Sequence, residues 1–128
     1  MIEYYTKEMA QEFASRWLPA WSGNHPELLT SFYAEDAFYL DPAIPQGIRG
    51  KAALLTYFTK LLARFPDWKW TQRDAIPMEG GFLNKWNAVI PLKNTKLEID
   101  GVCSVQMRDG LIKRNEVYFD RTELLKLI

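Results

Sequence analysis

Apolar residues recur at helical spacing through the first half of the chain and at every second position through the second half. In residues 6–21, Met9, Phe13, Trp17 and Trp21 return every four positions with Ala10, Ala14 and Ala20 beside them, the stripe of an amphipathic helix. Thr6 is placed to cap that helix, with Lys7 and Glu8 opening its first turn. The stretch Ser22-Gly23-Asn24-His25 ends it, and Pro26 suits the first turn of a short second helix reaching about Tyr33. Residues 37–41 read as a short aromatic strand, closed by a loop carrying Pro42, Pro45 and Gly47. A third helix over residues 50–65 carries Leu54, Leu55, Phe58, Leu61 and Leu62 and stops at Pro66.

Beyond Pro66 the period falls to two. Trp68 and Trp70 alternate with Lys69 and Thr71, while Phe82, Asn84, Trp86, Ala88 and Ile90 share one parity. Leu97, Ile99, Gly101, Cys103, Val105 and Met107 share another, and Asp109-Gly110 supplies a two-residue hairpin turn into residues 111–119. Helices followed by a meander of strands predict one α+β domain over residues 1–128, with no α/β repeat. Its curved antiparallel sheet forms a cone-shaped half-barrel around three N-terminal helices, and inward positions of distant strands converge on a cavity.

Composition sharpens this picture. Of 128 residues 48% are hydrophobic and 14% aromatic, more rings than a core of this size needs, which points to a ring-lined pocket or an exposed sheet face. Sixteen basic and sixteen acidic residues cancel without a basic run, which argues against a nucleic-acid partner. The start resembles no signal peptide and no apolar run approaches a membrane span, so the expectation is a cytoplasmic protein with no membrane partner. One cysteine, Cys103, and one histidine, His25, leave the common zinc sets unfilled, and no metal or cofactor is expected.

Two aspartates in aromatic surroundings, Asp41 and Asp120, are the candidate catalytic groups. Each closes an apolar run, where desolvation raises a carboxyl's pKa toward the range useful for proton transfer. Strict alternation puts Ile112, Arg114, Glu116, Tyr118 and Asp120 on one face of the last strand, and this row is taken as facing the cavity; a bulge after Glu116 reverses it. Asp41 shares parity with Tyr39, and Pro42 holds it extended. Each aspartate also has a plain structural role open to it: Asp41 as a turn former or cap of a loop amide, Asp120 as N-cap of a terminal helix over residues 121–127 with Glu123 as reciprocal partner. Candidate substrate-binding residues are Trp17, Trp21, Tyr39, Trp86, Tyr118 and Asn84. Trp17 and Trp21 read first as plain core, and Asn84 first as facing solvent, with the binding role second.

The segments Trp21-Ser22-Gly23-Asn24, Phe32-Tyr33-Ala34-Glu35-Asp36-Ala37, Leu40-Asp41-Pro42, Phe65-Pro66-Asp67-Trp68 and Arg108-Asp109-Gly110-Leu111-Ile112, ending in Tyr118-Phe119-Asp120, resemble the SnoaL-like polyketide cyclases. These are relatives of ketosteroid isomerases and limonene epoxide hydrolases. The resemblance spans nearly the whole chain and implies a cystatin-like α+β barrel. It implies for Asp120 the general base or acid of the cyclases, and for Asp41 the proton shuttle of the isomerases. Where the isomerases hold an oxyanion with a tyrosine and a protonated aspartic acid, this chain has Trp17 and roughly Cys103, weaker donors. The hydrolases' Arg, Asp, Asp relay has no counterpart at recognisable spacing.

The leading expectation is an isomerase, cyclase or lyase acting by aspartate acid-base chemistry on an apolar cyclic carbonyl compound. A non-catalytic small-molecule binding module of the same fold is the alternative. A third is a homodimer built on the outer sheet face, with Leu83, Val89, Val117 and Phe119 as its apolar residues.

Overall fold

The computed structural model describes residues 4–126. Helix α1 (Lys7–Trp17) is capped by the Thr6 hydroxyl, which accepts from the Met9 amide at 3.1 Å. Its buried face is Ala10, Phe13, Ala14 and Trp17, while Met9 is 46% exposed. The single stripe expected as far as Trp21 therefore breaks: after Trp17 the chain tightens into a 3-10 turn, Leu18–Trp21, and that change of pitch swings Trp21 back into the core. Helix α2 (Pro26–Thr30) starts on its proline and is shorter than expected.

Strand β1 (Tyr33–Leu40) begins four residues before the sequence suggested. Tyr33, Ala37 and Tyr39 are buried, and the Ile112 amide donates to the Phe32 carbonyl at 2.8 Å, so the ladder claims this segment from the helix before it. A two-residue strand, β2 (Ile48–Arg49), was not foreseen. Helix α3 (Lys51–Arg64) buries Leu54, Phe58 and Leu62 against β1 and α2. Strands β3 (Lys69–Met78), β4 (Gly81–Pro91), β5 (Lys96–Arg108) and β6 (Leu111–Tyr118) follow, with a last turn of helix, α4 (Thr122–Leu125). Leu127, the end expected of that helix, lies outside the described residues.

The six strands form one curved, unclosed sheet in the order β2-β1-β6-β5-β4-β3. All pairings are antiparallel except one: β1 runs parallel to β6, a join a pure meander does not contain. Strict alternation holds along β4, where Phe82, Asn84, Trp86, Ala88 and Ile90 all point inward, and along the second half of β5. The β5–β6 hairpin turns at Asp109 and Gly110, both left-handed (φ 54° and 79°), the conformation a two-residue type I′ turn demands.

Strand β6 departs from alternation, and this relocates the expected site. Met107 pairs with Ile112 and Gln106 with Arg114, so Lys113 is an unpaired extra residue, a β-bulge. Ile112 faces inward before it; Asn115 and Val117 face inward after it, and Tyr118 is turned out, half exposed. Beyond Ile112, the row taken as cavity-facing, with Tyr118 and Asp120, thus lies outside. Val117 and Phe119, expected on the outer face, lie inside.

Candidate functional site

The concave face of the sheet, roofed by α1, α3 and α4, encloses a cavity of about 270 Å³. Its walls are rings. Trp21 sits 5.4 Å from both Phe58 and Trp70, Trp70 lies 4.3 Å from Trp86, and Trp86 lies 5.6 Å from Phe119 (centroid distances). Trp86 and Phe119 meet across Gly101, which pairs with Trp86 on the neighbouring strand and has no side chain to separate them. Trp68 stacks on Phe65 at 5.1 Å and donates its indole N–H to the Trp21 carbonyl, which ties the end of the 3-10 turn to β3.

Among the described residues one acid lines this cavity, Asp41, and it is 6% exposed. Its Oδ2 accepts from the hydroxyls of Tyr39 at 2.8 Å and Tyr57 at 2.7 Å, and its Oδ1 accepts from the Ala43 amide at 2.8 Å. The loop-cap role foreseen for Asp41 is therefore present together with the cavity position. Three donors leave one of about four lone-pair sites of the carboxylate unused by them. Burial first, and then the Asp41 charge, hold the Tyr39 and Tyr57 phenols above their usual range, so both remain protonated donors across the working pH range.

A second polar set lies on the sheet side. Asn84 is fully buried; its Oδ1 accepts from Gln72 Nε2 at 2.8 Å and its Nδ2 lies 3.6 Å from the Cys103 sulfur. Burial pushes the Cys103 thiol up to about 12, so it is a neutral wall residue. Asn115, also fully buried, donates to the Tyr33 hydroxyl at 3.1 Å and keeps its Oδ1 without a partner. The buried indole N–H groups of Trp17, Trp70 and Trp86 make no hydrogen bond of ordinary geometry, although that of Trp17 lies close to the Tyr33 hydroxyl and that of Trp86 to the Cys103 sulfur. Four unsatisfied polar atoms around one cavity are unusual in a native interior, where nearly all buried polar groups are paired.

Of the residues singled out in the sequence, Asp41, Trp17, Trp21, Tyr39, Trp86 and Asn84 come together here. Tyr118 and Asp120 do not. Tyr118 donates outside to Glu116 at 2.9 Å, and Asp120 is exposed, accepting from the Thr122 hydroxyl at 2.5 Å and the Thr122 amide at 2.9 Å. Glu123 is not its reciprocal partner; it pairs with Lys126 at 3.0 Å. The Thr122 hydroxyl and amide hold the Asp120 carboxyl below the ordinary 3.8, opposite to the rise expected from desolvation. A depressed folded pKa means that the stability Asp120 contributes is fully present above the ordinary value and is lost as pH falls through the lower folded value. We expect Asp120→Asn to melt below wild type at pH 7 and level with it below the folded pKa; a gap that persists in strong acid would show that the helix-end contact is not the cause.

Sequence reasoning missed Tyr57, Asn115 and a rim of cations, Lys60, Arg64 and Arg121. Tyr57, Lys60, Leu61 and Arg64 follow one another at helical spacing on α3, beside the core stripe of Leu54, Phe58 and Leu62, and that second stripe was the available signal. Among the described residues no three of His, Cys, Asp and Glu are grouped to hold a metal ion, and no helix is long and apolar enough to cross a membrane.

The sequence pattern of the SnoaL-like domain matches residues 14–115. No curated protein matches the chain. Solved structures do: a protein of ketosteroid isomerase-like fold from Catenulispora acidiphila, in complex with trimethylamine, is 20% identical, with 90% of each chain covered and a TM-score of 0.78. AclR from Streptomyces galilaeus, described as a candidate hydroxylase, is 11% identical with 95% of this chain and 96% of its own covered, at a TM-score of 0.75. At these identities the likeness is one of fold.

Proposed function

The chain belongs to the SnoaL-like domain family, and from its cavity we propose a small-molecule enzyme in which Asp41 moves a proton on an apolar cyclic carbonyl compound. The observation that carries this is a buried carboxylate, the one acid among the described residues to line the cavity, held by two protonated phenols among walls made mainly of rings. In the proposed step Asp41 takes the proton from the carbon next to the carbonyl, leaving an enolate, and returns it to that carbon or to a conjugated one. The buried indole N–H groups of Trp17 and Trp86, on the cavity wall beside the Tyr33 hydroxyl and the Cys103 sulfur, are donors for the enolate oxygen. Asp120, the residue the cyclase resemblance favoured, is exposed and engaged with Thr122, which supports Asp41 in its place.

The test is hydrogen-deuterium exchange into a bicyclic ketone such as 2-tetralone, followed by proton NMR in deuterated buffer. Loss of the α-proton signal faster than with buffer alone supports proton transfer. Saturable binding with exchange no faster than buffer supports instead the non-catalytic binding module. A cationic ligand, suggested by the trimethylamine in the Catenulispora neighbour and by the ring walls, is opposed by the three cations at the rim.

The proposal includes pairing of two chains through the outer sheet face, where Leu83, Val89 and Val102 are partly exposed. Sedimentation equilibrium at micromolar concentration is expected to give twice the 14.9 kDa chain mass, and a monomer there overturns the pairing alone.

A further inference from the structure

The charge around the cavity does not match the charge of the chain. The whole sequence balances sixteen bases against sixteen acids, yet the cavity is lined by Lys60, Arg64 and Arg121 against Asp41 alone among the described residues. Lys60 and Arg64 stand one turn apart on α3, a spacing at which like charges destabilise a helix. Arg121 reaches the same side from beyond β6, close enough for its charge to act on the Tyr57 hydroxyl.

Among the described residues none of these three cations makes an ion pair. Arg64 lies over the Phe65 ring at 6.0 Å, while the acids nearest Arg121 in sequence are engaged elsewhere, Asp120 with Thr122 and Glu123 with Lys126. Asp41 forms no ion pair with them either, its oxygens being engaged by two phenols and an amide. An anion arriving at the mouth relieves the mutual repulsion and finds charge-assisted donors already in place.

We propose that the cavity takes an amphipathic monoanion: an apolar body of about two fused rings among the tryptophans, bearing one carboxylate held at the mouth by Lys60, Arg64 and Arg121. The size follows from volume, since a dry cavity of roughly 150 Å³ accepts benzene and this one measures about 270 Å³. The inference rests on the ligand site proposed above and names its substrate class. It leaves Asp41 for the proton on the ring body, with the anionic head held by the exposed Lys60 and Arg64 further along the α3 face that carries Tyr57.

The test compares three probes of one shape by isothermal titration calorimetry: 2-naphthylacetate, its neutral amide, and 2-naphthylmethyl-trimethylammonium. The acetate is expected to bind about tenfold more tightly than the amide, the lower end for a hydrogen bond to a charged group. Its advantage should shrink as salt rises from about 20 mM to about 300 mM. In the double variant Lys60→Gln, Arg64→Gln the acetate's affinity falls to that of the amide. Equal binding of acetate and amide in the wild type, tightest binding of the ammonium, or an equal loss for both probes in the variant overturns the proposal. Binding by none of the three overturns it together with the ligand site itself. Acetate selectivity without exchange into 2-tetralone leaves this inference standing and removes the proton-transfer step alone.

Discussion

Replacing Asp41 by asparagine should slow α-proton exchange into a bound cyclic ketone by roughly 10²–10⁴-fold, the usual worth of a positioned general base. The two side chains have nearly the same shape, and an amide oxygen in the place of Oδ2 still accepts from both phenols while the NH₂ takes the place of Oδ1. The Ala43 amide then loses its 2.8 Å contact unless the side chain turns, a modest cost in a loop. The fold and the cavity should survive, so naphthyl amide binding serves as the internal control while exchange is followed by NMR. Asp120→Asn belongs beside it as the comparison, since Asp120 is exposed, engaged with Thr122, and not among the residues lining the cavity. An Asp41→Asn rate within about threefold of wild type, far short of a general base's contribution, removes Asp41 from the chemistry.

The second large effect concerns a residue with no side chain. A Cβ built on Gly101 falls 2.4 Å from Cζ2 and 2.6 Å from Cη2 of Trp86, and 2.8 Å from the Tyr118 carbonyl oxygen. All are closer than real contacts allow, and the Tyr118 carbonyl belongs to the backbone of β6 and cannot step aside. Gly101→Ala must therefore push Trp86 off its rotamer into the cavity or spread β5 from β6. Overpacking of this kind costs about 1–3 kcal/mol, read from the midpoint of a urea melt with an unchanged slope. Naphthyl amide affinity should fall with it, because the displaced indole takes the ligand's room. A midpoint unchanged and full affinity retained would mean that Trp86 has space the distances deny.

How much of this was legible beforehand depends on what kind of rule each element obeys. Helix α3 and strand β4 follow one period from end to end, and their inward residues were readable from spacing alone. Strand β6 carries its apolar residues on both parities, Ile112 on one and Val117 with Phe119 on the other. That mixture is the trace of the bulge at Lys113, but spacing does not say where within the strand the switch falls. With no bulge Asp120 stays inside; a bulge after Glu116 turns it out, and the bulge at Lys113 turns it out and brings in Asn115 as well.

The β1–β6 join failed for a different reason. Parallel pairing between segments some 80 residues apart leaves no mark on either one's pattern, so neither the length of β1 nor the neighbourhood of Tyr33 and Asn115 was readable locally. Asp41 was found because an aspartate before proline at a strand end is a local feature. Its partner Tyr57 was not, since a tyrosine on a helix shoulder reads as solvent-facing until the sheet beneath it is known.

All five tryptophans of the chain, Trp17, Trp21, Trp68, Trp70 and Trp86, line the same cavity. The protein's intrinsic fluorescence is therefore the emission of one site, with no background from indoles elsewhere. The 4.3 Å separation of the Trp70 and Trp86 rings makes them an exciton-coupled pair whose near-ultraviolet circular dichroism depends on their mutual angle of 58°. A compound that enters the cavity perturbs both signals, and one that adheres to the outer sheet face leaves them as they were. An optical screen of unmodified protein thus separates true occupants from surface binders.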